Sequence, residues 1–427
     1  MNCSQSNLFR LLISILGLID HCVLASALTD DILYSSMSSF DIQVKHAVEL
    51  KTKNTMTLYA ELENAEKKTS HSANKRFFKS SYLDSNRQRF RYAIRLPESY
   101  KATENYPLII FLHGQVNRPE WKSHETWWFY PTKNPTFDYI SIFPTAYKDV
   151  PWWSKTQVNN ILNLINIVKL SYPVDTDRIF LVGISDGGTG SFYLNHFLNS
   201  IFAGTVSFIG HPLALLNPVL NIPHNLYEPN IVNSPFLVMN GINDRLYPAT
   251  EIEPIINHLK AFSNNLEYVK VEGSHRLSTM QEAWPMAEAF MKEHSRLANL
   301  KQISWQIESS PAIQRNAWIN AKFESTKLNQ NTPSGLLPNG AITNWIKAHI
   351  VQNTINITVT HPIELRLLIS PKLIEQPSKP IKIFINGTLK ASLIVDQNID
   401  TILEWAVLDK DPQLLYTGSV EILVNDL

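Results

Sequence analysis

"DRIFLVGISDGGTGSFYLN", residues 177–195, passes from a charged pair through a mostly apolar run into glycines set around Ser185. The apolar run has the character of a strand buried on both faces, and "DGGTG" opens a helix. Gly183, Ile184, Ser185, Asp186 and Gly187 therefore span a strand-to-helix turn, the setting in which G-x-S-x-G carries chemistry. A turn this sharp holds its serine at strained backbone angles, and Cβ atoms two positions to either side would meet the neighbouring strand and helix. Glycine at 183 and 187 removes that collision and leaves Ser185 exposed above a sheet.

A serine hydroxyl is a weak nucleophile until a base takes its proton and an acid orients the base. "PFLVMNGINDRLYP" puts Asp244 just past the end of one apolar strand, and "LEYVKVEGSHRLS" puts His275 just past the next. Strand C-termini of an open parallel sheet share one edge, so Ser185, Asp244 and His275 are expected to converge there. A tetrahedral intermediate also needs two N–H donors. Those expected are the backbone amides of Asp186, whose side chain should point away, and of Gln115, in the loop after "IIFLHG". His113 within "FLHG" is read as a structural histidine, hydrogen-bonded to hold that loop.

The chain around the turn repeats one pattern. Apolar strands at 107–114, 138–146, 178–183, 204–210, 235–241 and 266–273 alternate with helical stretches at 157–170, after 187, at 251–262 and across "MQEAWPMAEAFMKEH". The fold class expected is α/β, a mostly parallel sheet flanked by helices. Beyond residue 300 the chain changes to short alternating runs such as "NTINITVT", "IELRLLIS" and "KPIKIFINGTLKASLIV", the last with the hairpin dipeptide Asn386-Gly387. This predicts a smaller antiparallel, sandwich-like β domain. The expected division is a signal peptide at 1–27, a polar N-terminal extension with one helix at 28–85, the catalytic domain at 86–300 and the accessory domain at 301–427.

The stretches "YPLIIFLHGQ", "YPVDTDRIFLVGISDGGTG", "NGINDRLYP" and "EGSHRLS" resemble an α/β-hydrolase of the phospholipase/carboxylesterase, esterase-D or polyhydroxybutyrate-depolymerase-like group. The resemblance covers residues 90 to 295. It implies Ser185 as nucleophile, Asp244 as acid, His275 as base, the amides of Gln115 and Asp186 as oxyanion donors, ester cleavage through an acyl-enzyme, and no cofactor or metal. Gln115 departs from the glycine or serine common after the H-G pair. The β domain has no activity that the resemblance supplies.

Across the 427 residues, 38 basic and 38 acidic side chains cancel. No basic block interleaves with aromatics, which argues against a nucleic-acid partner. The first residues, with Arg10, an apolar run from Leu11 to Ile19, and Ala25 and Ala27 spaced for cleavage, read as an export signal, with no stable membrane span in the mature chain. The expected location is periplasmic or extracellular. Cys3 and Cys22 both lie in that signal, so the mature chain would have no thiol, disulfide or cysteine-bound metal.

Trp127, Trp128, Trp152 and Trp153 follow sheet strands, and either wall the site for an acyl chain, phenolic acid or sugar, or pack loops onto the core. Residues 211–234 are too short and proline-broken for a large lid, leaving room for a small flap. The function expected is a secreted serine esterase acting on a small or polymer-derived ester. A serine peptidase on the same fold, or an inert relative serving as a binding protein, are the alternatives.

Overall fold

The computed structural model describes residues 55–63 and 75–425, except 85, 130, 132–133, 217–225, 232, 310–313 and 324–342. The expected signal peptide lies outside the described residues.

Helix α1 (Thr55–Glu63) precedes a central sheet built from β1 (Phe77–Leu83), β2 (Arg89–Arg95), β3 (Tyr106–Leu112), β4 (Ile140–Pro144), β5 (Val174–Ile184), β6 (Gly204–Phe208), β7 (Phe236–Gly241) and β8 (Leu266–Val271). Between these strands run α2 (Lys155–Ser171), α3 (Asp186–Leu198), the single turn α4 (Glu228–Ile231) and α5 (Ala249–Lys260), and α6 (Ala283–Glu293) follows the last. The strand order is β1-β2-β4-β3-β5-β6-β7-β8. Only the β1–β2 and β2–β4 pairs are antiparallel; β4 through β8 run parallel.

Every residue of β3, β4, β6 and β7 is buried, because helices cover both faces. Successive side chains take opposite faces. Leu108, Ile110 and Leu112 accordingly join one core with Ile161, Leu164 and Phe192, while Ile109 and Phe111 join the other with Trp284, Phe290 and Met291. Residues 77–83, which the sequence placed at the end of a polar extension, form the edge strand β1. As an edge it is only partly covered, with Tyr82 its one fully buried residue, so it lacks the apolar run that marks its neighbours.

The second domain comprises β9 (Gln302–Glu308), β10 (Arg315–Asn316), β11 (Ile319–Lys322), β12 (Thr343–Val351), β13 (Thr354–Thr358), β14 (Ile363–Ile369), β15 (Ile381–Ile385), β16 (Thr388–Leu393), helix α7 (Ile399–Asp409) and β17 (Gly418–Val424). Two sheets, β16-β15-β13-β12-β9 and β10-β11-β14-β17, enclose a core that includes Trp305, Trp318, Ile346 and Leu367. Asn386 and Gly387 turn β15 into β16 with φ of 49° and 79°, the left-handed pair that the dipeptide favours. All its pairings are antiparallel except β13 with β15. Helix α1 packs onto this domain through Leu58, Tyr59 and Leu62 against Ile402, Leu403 and Leu415.

Two contacts fix the domain to the sheet. Asn230 and Asn233 meet the open edge of β9 with their side-chain amides, Asn230 donating to the Gln306 carbonyl (2.9 Å) and accepting from its N–H (2.6 Å), and Asn233 donating to the Ser304 carbonyl (2.8 Å). This satisfies an edge that would otherwise invite strand pairing. The C-terminal end of the segment predicted to leave room for a flap thus serves as a docking ledge.

The other contact is ionic. Asp411, fully buried, lies 2.9 Å from the Arg296 guanidinium and 3.7 Å from the Lys169 ammonium, and Thr176 donates to it at 2.9 Å. Arg296 also pairs with Asp177 at 2.8 Å. Burial would raise the Asp411 carboxyl, but Arg296 and Lys169 override it and hold the group well below the usual carboxylate range.

Asp411→Asn is expected to cost about 3–5 kcal/mol, since it leaves buried cations undercompensated; urea unfolding measures it, and a loss under about 1 kcal/mol would contradict the clamp. The depressed carboxyl contributes fully above its ordinary value of 3.8 and loses that contribution as pH falls through its folded value. Two buried histidines act earlier. Burial lowers His113 to about 4 and His196 to about 3, so below 6.5 the unfolded chain binds protons that the folded chain refuses. Stability measured against pH should decline from pH 6.5 downward, before the Asp411 contribution is lost.

Candidate active site

Ser185 stands between β5 and α3 at φ 53° and ψ −118°. The packing requires the flanking glycines. A Cβ on Gly183 would lie 2.0 Å from the Gly187 carbonyl oxygen, and one on Gly187 would lie 2.0 Å from the Leu112 carbonyl oxygen. Backbone strain at Ser185 is held by its N–H, which donates to the Phe208 carbonyl at 3.0 Å.

The loops after β7 and β8 bring the other two residues to it. His275 Nε2 lies 2.8 Å from Ser185 Oγ, and His275 Nδ1 lies 2.7 Å from Asp244 Oδ2. The fully buried carboxylate accepts the Nδ1 proton, which leaves Nε2 free to accept from the serine hydroxyl. Asp244 is itself fixed, its Oδ1 accepting the N–H groups of Leu246 and Tyr247 at 2.9 Å each. Tyr247, which the sequence did not single out, packs edge-on to the His275 ring at 5.0 Å and restricts its tilt.

Gln115 has φ 60° and, with Gly114, lines the same cavity as Ser185; its N–H makes no backbone hydrogen bond among the described residues. The Asp186 amide opens α3, where first-turn N–H groups have no carbonyl inside the helix. These are the two donors the sequence proposed. The Asp186 side chain, expected to point away, instead accepts the Val116 N–H at 2.9 Å. The carboxylate thereby ties the Ser185 turn to the loop that carries Gln115.

His113 is structural. Its Nε2 accepts the Ala146 N–H at 3.0 Å, so Nδ1 carries the proton and donates to the Gly114 carbonyl at 2.6 Å. With both nitrogens occupied it has none to offer a reaction. The tryptophans divide. Trp152 and Trp153 are fully buried in the core, Trp152 donating to the His113 carbonyl at 2.8 Å. Trp127 and Trp128 line the site cavity, joined by Trp121, which the sequence reading passed over because it lies alone in a polar stretch. Among the described residues no cluster of His, Cys, Asp or Glu forms a metal site, and no helix is long and apolar enough to cross a membrane.

A serine in a strained strand-to-helix turn, with an aspartate and a histidine hydrogen-bonded in line from the loops after the next-but-one strand and the strand beyond it, on a mostly parallel sheet, decides the architecture. The chain has the α/β-hydrolase fold. Neither a protein-family model nor a curated protein sequence matches it. Solved structures similar to it include a thermostable esterase (16% identity, TM-score 0.39, 52% of this chain and 63% of that one). Another is the fluorophosphonate-binding serine hydrolase FphF of Staphylococcus aureus (15%, 0.37, 50% and 97%). A third is the Pyrococcus horikoshii acylaminoacyl peptidase (17%, 0.41, 52% and 42%).

The tie between Asp186 and Val116 predicts a graded response. Asp186→Ala should slow labelling of Ser185 by a fluorophosphonate about 10- to 100-fold, because the loop donor drifts from where the phosphoryl oxygen sits. Asp186→Asn, which keeps an acceptor, should stay within a few-fold of the parent by the same argument. Equal losses in both variants would show that acceptance from Val116 is not the role.

Proposed function

We propose that this chain is an exported serine hydrolase that cleaves carboxylic esters, with Ser185 as nucleophile, His275 as base and Asp244 as its orienting acid. The observation that carries the reading is the hydrogen-bonded line Ser185–His275–Asp244, at 2.8 and 2.7 Å, headed by the strained turn. Ser185 Oγ attacks the ester carbonyl while its proton passes to His275 Nε2. The Gln115 and Asp186 amides take the developing oxyanion. Collapse expels the alcohol, which receives the proton from His275, and leaves Ser185 acylated. Water then attacks the acyl-enzyme with His275 as base, releasing the acid and restoring the serine. No step calls on a cofactor.

The same three residues would serve a peptidase. Recognition of a free amino terminus needs a carboxylate in the cavity, and the described lining contains neither Asp nor Glu. That favours esters. An inert binding protein would not need the three residues in register.

Ser185→Ala and His275→Ala should each reduce hydrolysis of 4-nitrophenyl acetate and butyrate by about 10⁴-fold or more, and the double variant should lose little beyond either, since the residues act as one unit. Steady-state kinetics on the purified protein decides it. Hydrolysis by Ser185→Ala equal to the parent would refute the proposal. The export half is checked separately by N-terminal sequencing of protein recovered outside the cytoplasm, which should begin at residue 28; a chain retained inside with Met1 intact would contradict it.

A further inference from the structure

We propose that the preferred esters carry a planar aromatic group, bound in a slot formed by Trp127, Trp128 and Phe129. This rests on the ester-hydrolase reading above and adds the substrate class. One cavity of about 530 Å³ is lined by Ser185 and His275 together with these rings. That volume lies within the usual range for small organic ligands.

Two of the three indole N–H groups of the wall are already committed to the protein. Trp127 Nε1 donates to the Phe143 carbonyl at 2.9 Å and Trp121 Nε1 to the Ala146 carbonyl at 3.0 Å. What Trp121 and Trp127 offer a ligand is therefore ring surface. Trp127 and Trp128 stand at 81° with centroids 5.2 Å apart, and both line the cavity. A flat ring stacked on one meets the other edge-on, the two arrangements that aromatic quadrupoles favour. An alkyl chain would gain only area there.

The rings are fixed by packing before any ligand arrives. The Arg118 guanidinium lies 3.4 Å over the Trp121 ring and pairs with Glu125 at 2.8 Å, closing the loop on itself. Phe77 packs on Trp128 at 5.1 Å, and Phe129 meets Phe111 edge-on at 5.4 Å. A preorganised slot loses little to ordering when it binds. Among the described residues no Asp, Glu, Lys or Arg lines it, while Thr126 and Ser278 supply hydroxyls suited to substituents on a ring. Trp152 and Trp153 show the contrasting case, since both are enclosed by core side chains and neither reaches this cavity.

The test compares kcat/KM for methyl cinnamate against methyl nonanoate, and for benzyl acetate against heptyl acetate. The aromatic member should exceed its aliphatic partner by about tenfold in at least one pair, which also shows whether the slot takes the acyl or the alcohol side. Trp128→Ala should lower that ratio several-fold and Trp128→Phe should largely keep it. Aliphatic esters equal to or better than aromatic ones in both pairs would overturn the inference while leaving ester hydrolysis intact. A second measurement is independent of turnover: quenching of tryptophan fluorescence in Ser185→Ala should report tighter binding of the aromatic member of the same pair. If the parent hydrolyses no ester, the function proposal fails and this binding comparison alone decides the slot. Equal binding of aromatic and aliphatic esters would overturn it.

Discussion

A methyl carbon has no room at position 183 or 187, where it would lie 2.0 Å from a carbonyl oxygen of the neighbouring backbone. That closeness lets β5 turn into α3 with Ser185 projecting above the sheet. The strain is shared by the residues around it. Gln115, Ser185 and Ile209 all have positive φ, at 60°, 53° and 45°, and all line the same cavity. For a β-branched residue such as Ile209 this is a rare backbone state. Conformations of this kind cost about 1–3 kcal/mol each and persist only where the surroundings over-determine them. Here the sheet does so: Ser185 N–H is held by Phe208 and Ile209 N–H by the Met239 carbonyl at 2.8 Å. The parallel core thus stabilises a loop geometry that the loop sequences alone would not adopt.

The second domain attaches away from that chemistry. Its buried ion cluster grips Thr176 and Asp177 early in β5, whereas Ser185 follows the far end of the same strand. Its edge strand rests on the amides of Asn230 and Asn233. No described residue beyond Ser278 lines the cavity at Ser185.

That Ser185, Asp244 and His275 would meet was legible because each follows an apolar strand, and apolar strands are the clearest signal in the chain. The parallel sheet followed from the same runs. The edge strand β1 was not legible, because one-sided burial leaves no continuous apolar run. The Asp186 side chain was misjudged for a related reason. Its partner Val116 lies 70 residues away, and no local pattern reports a contact made by the meeting of two loops. Trp152 and Trp127 look alike in sequence, each following a strand in an aromatic pair. What separates them is that the Trp152 side chain fills the space beside Gly190, so that a Cβ there would lie 2.3 Å from it. The Asp411 cluster joins residues 235 apart and has no signature at all.

The central claim is that the strained turn presents Ser185 to His275 beneath two converging amides. A crystal structure of the protein phosphonylated at Ser185 tests it most directly. The account predicts the phosphorus on Ser185 Oγ, with the phosphoryl oxygen about 2.7–3.1 Å from both the Gln115 and Asp186 backbone nitrogens. A phosphoryl oxygen turned to solvent, with neither amide in reach, would contradict it.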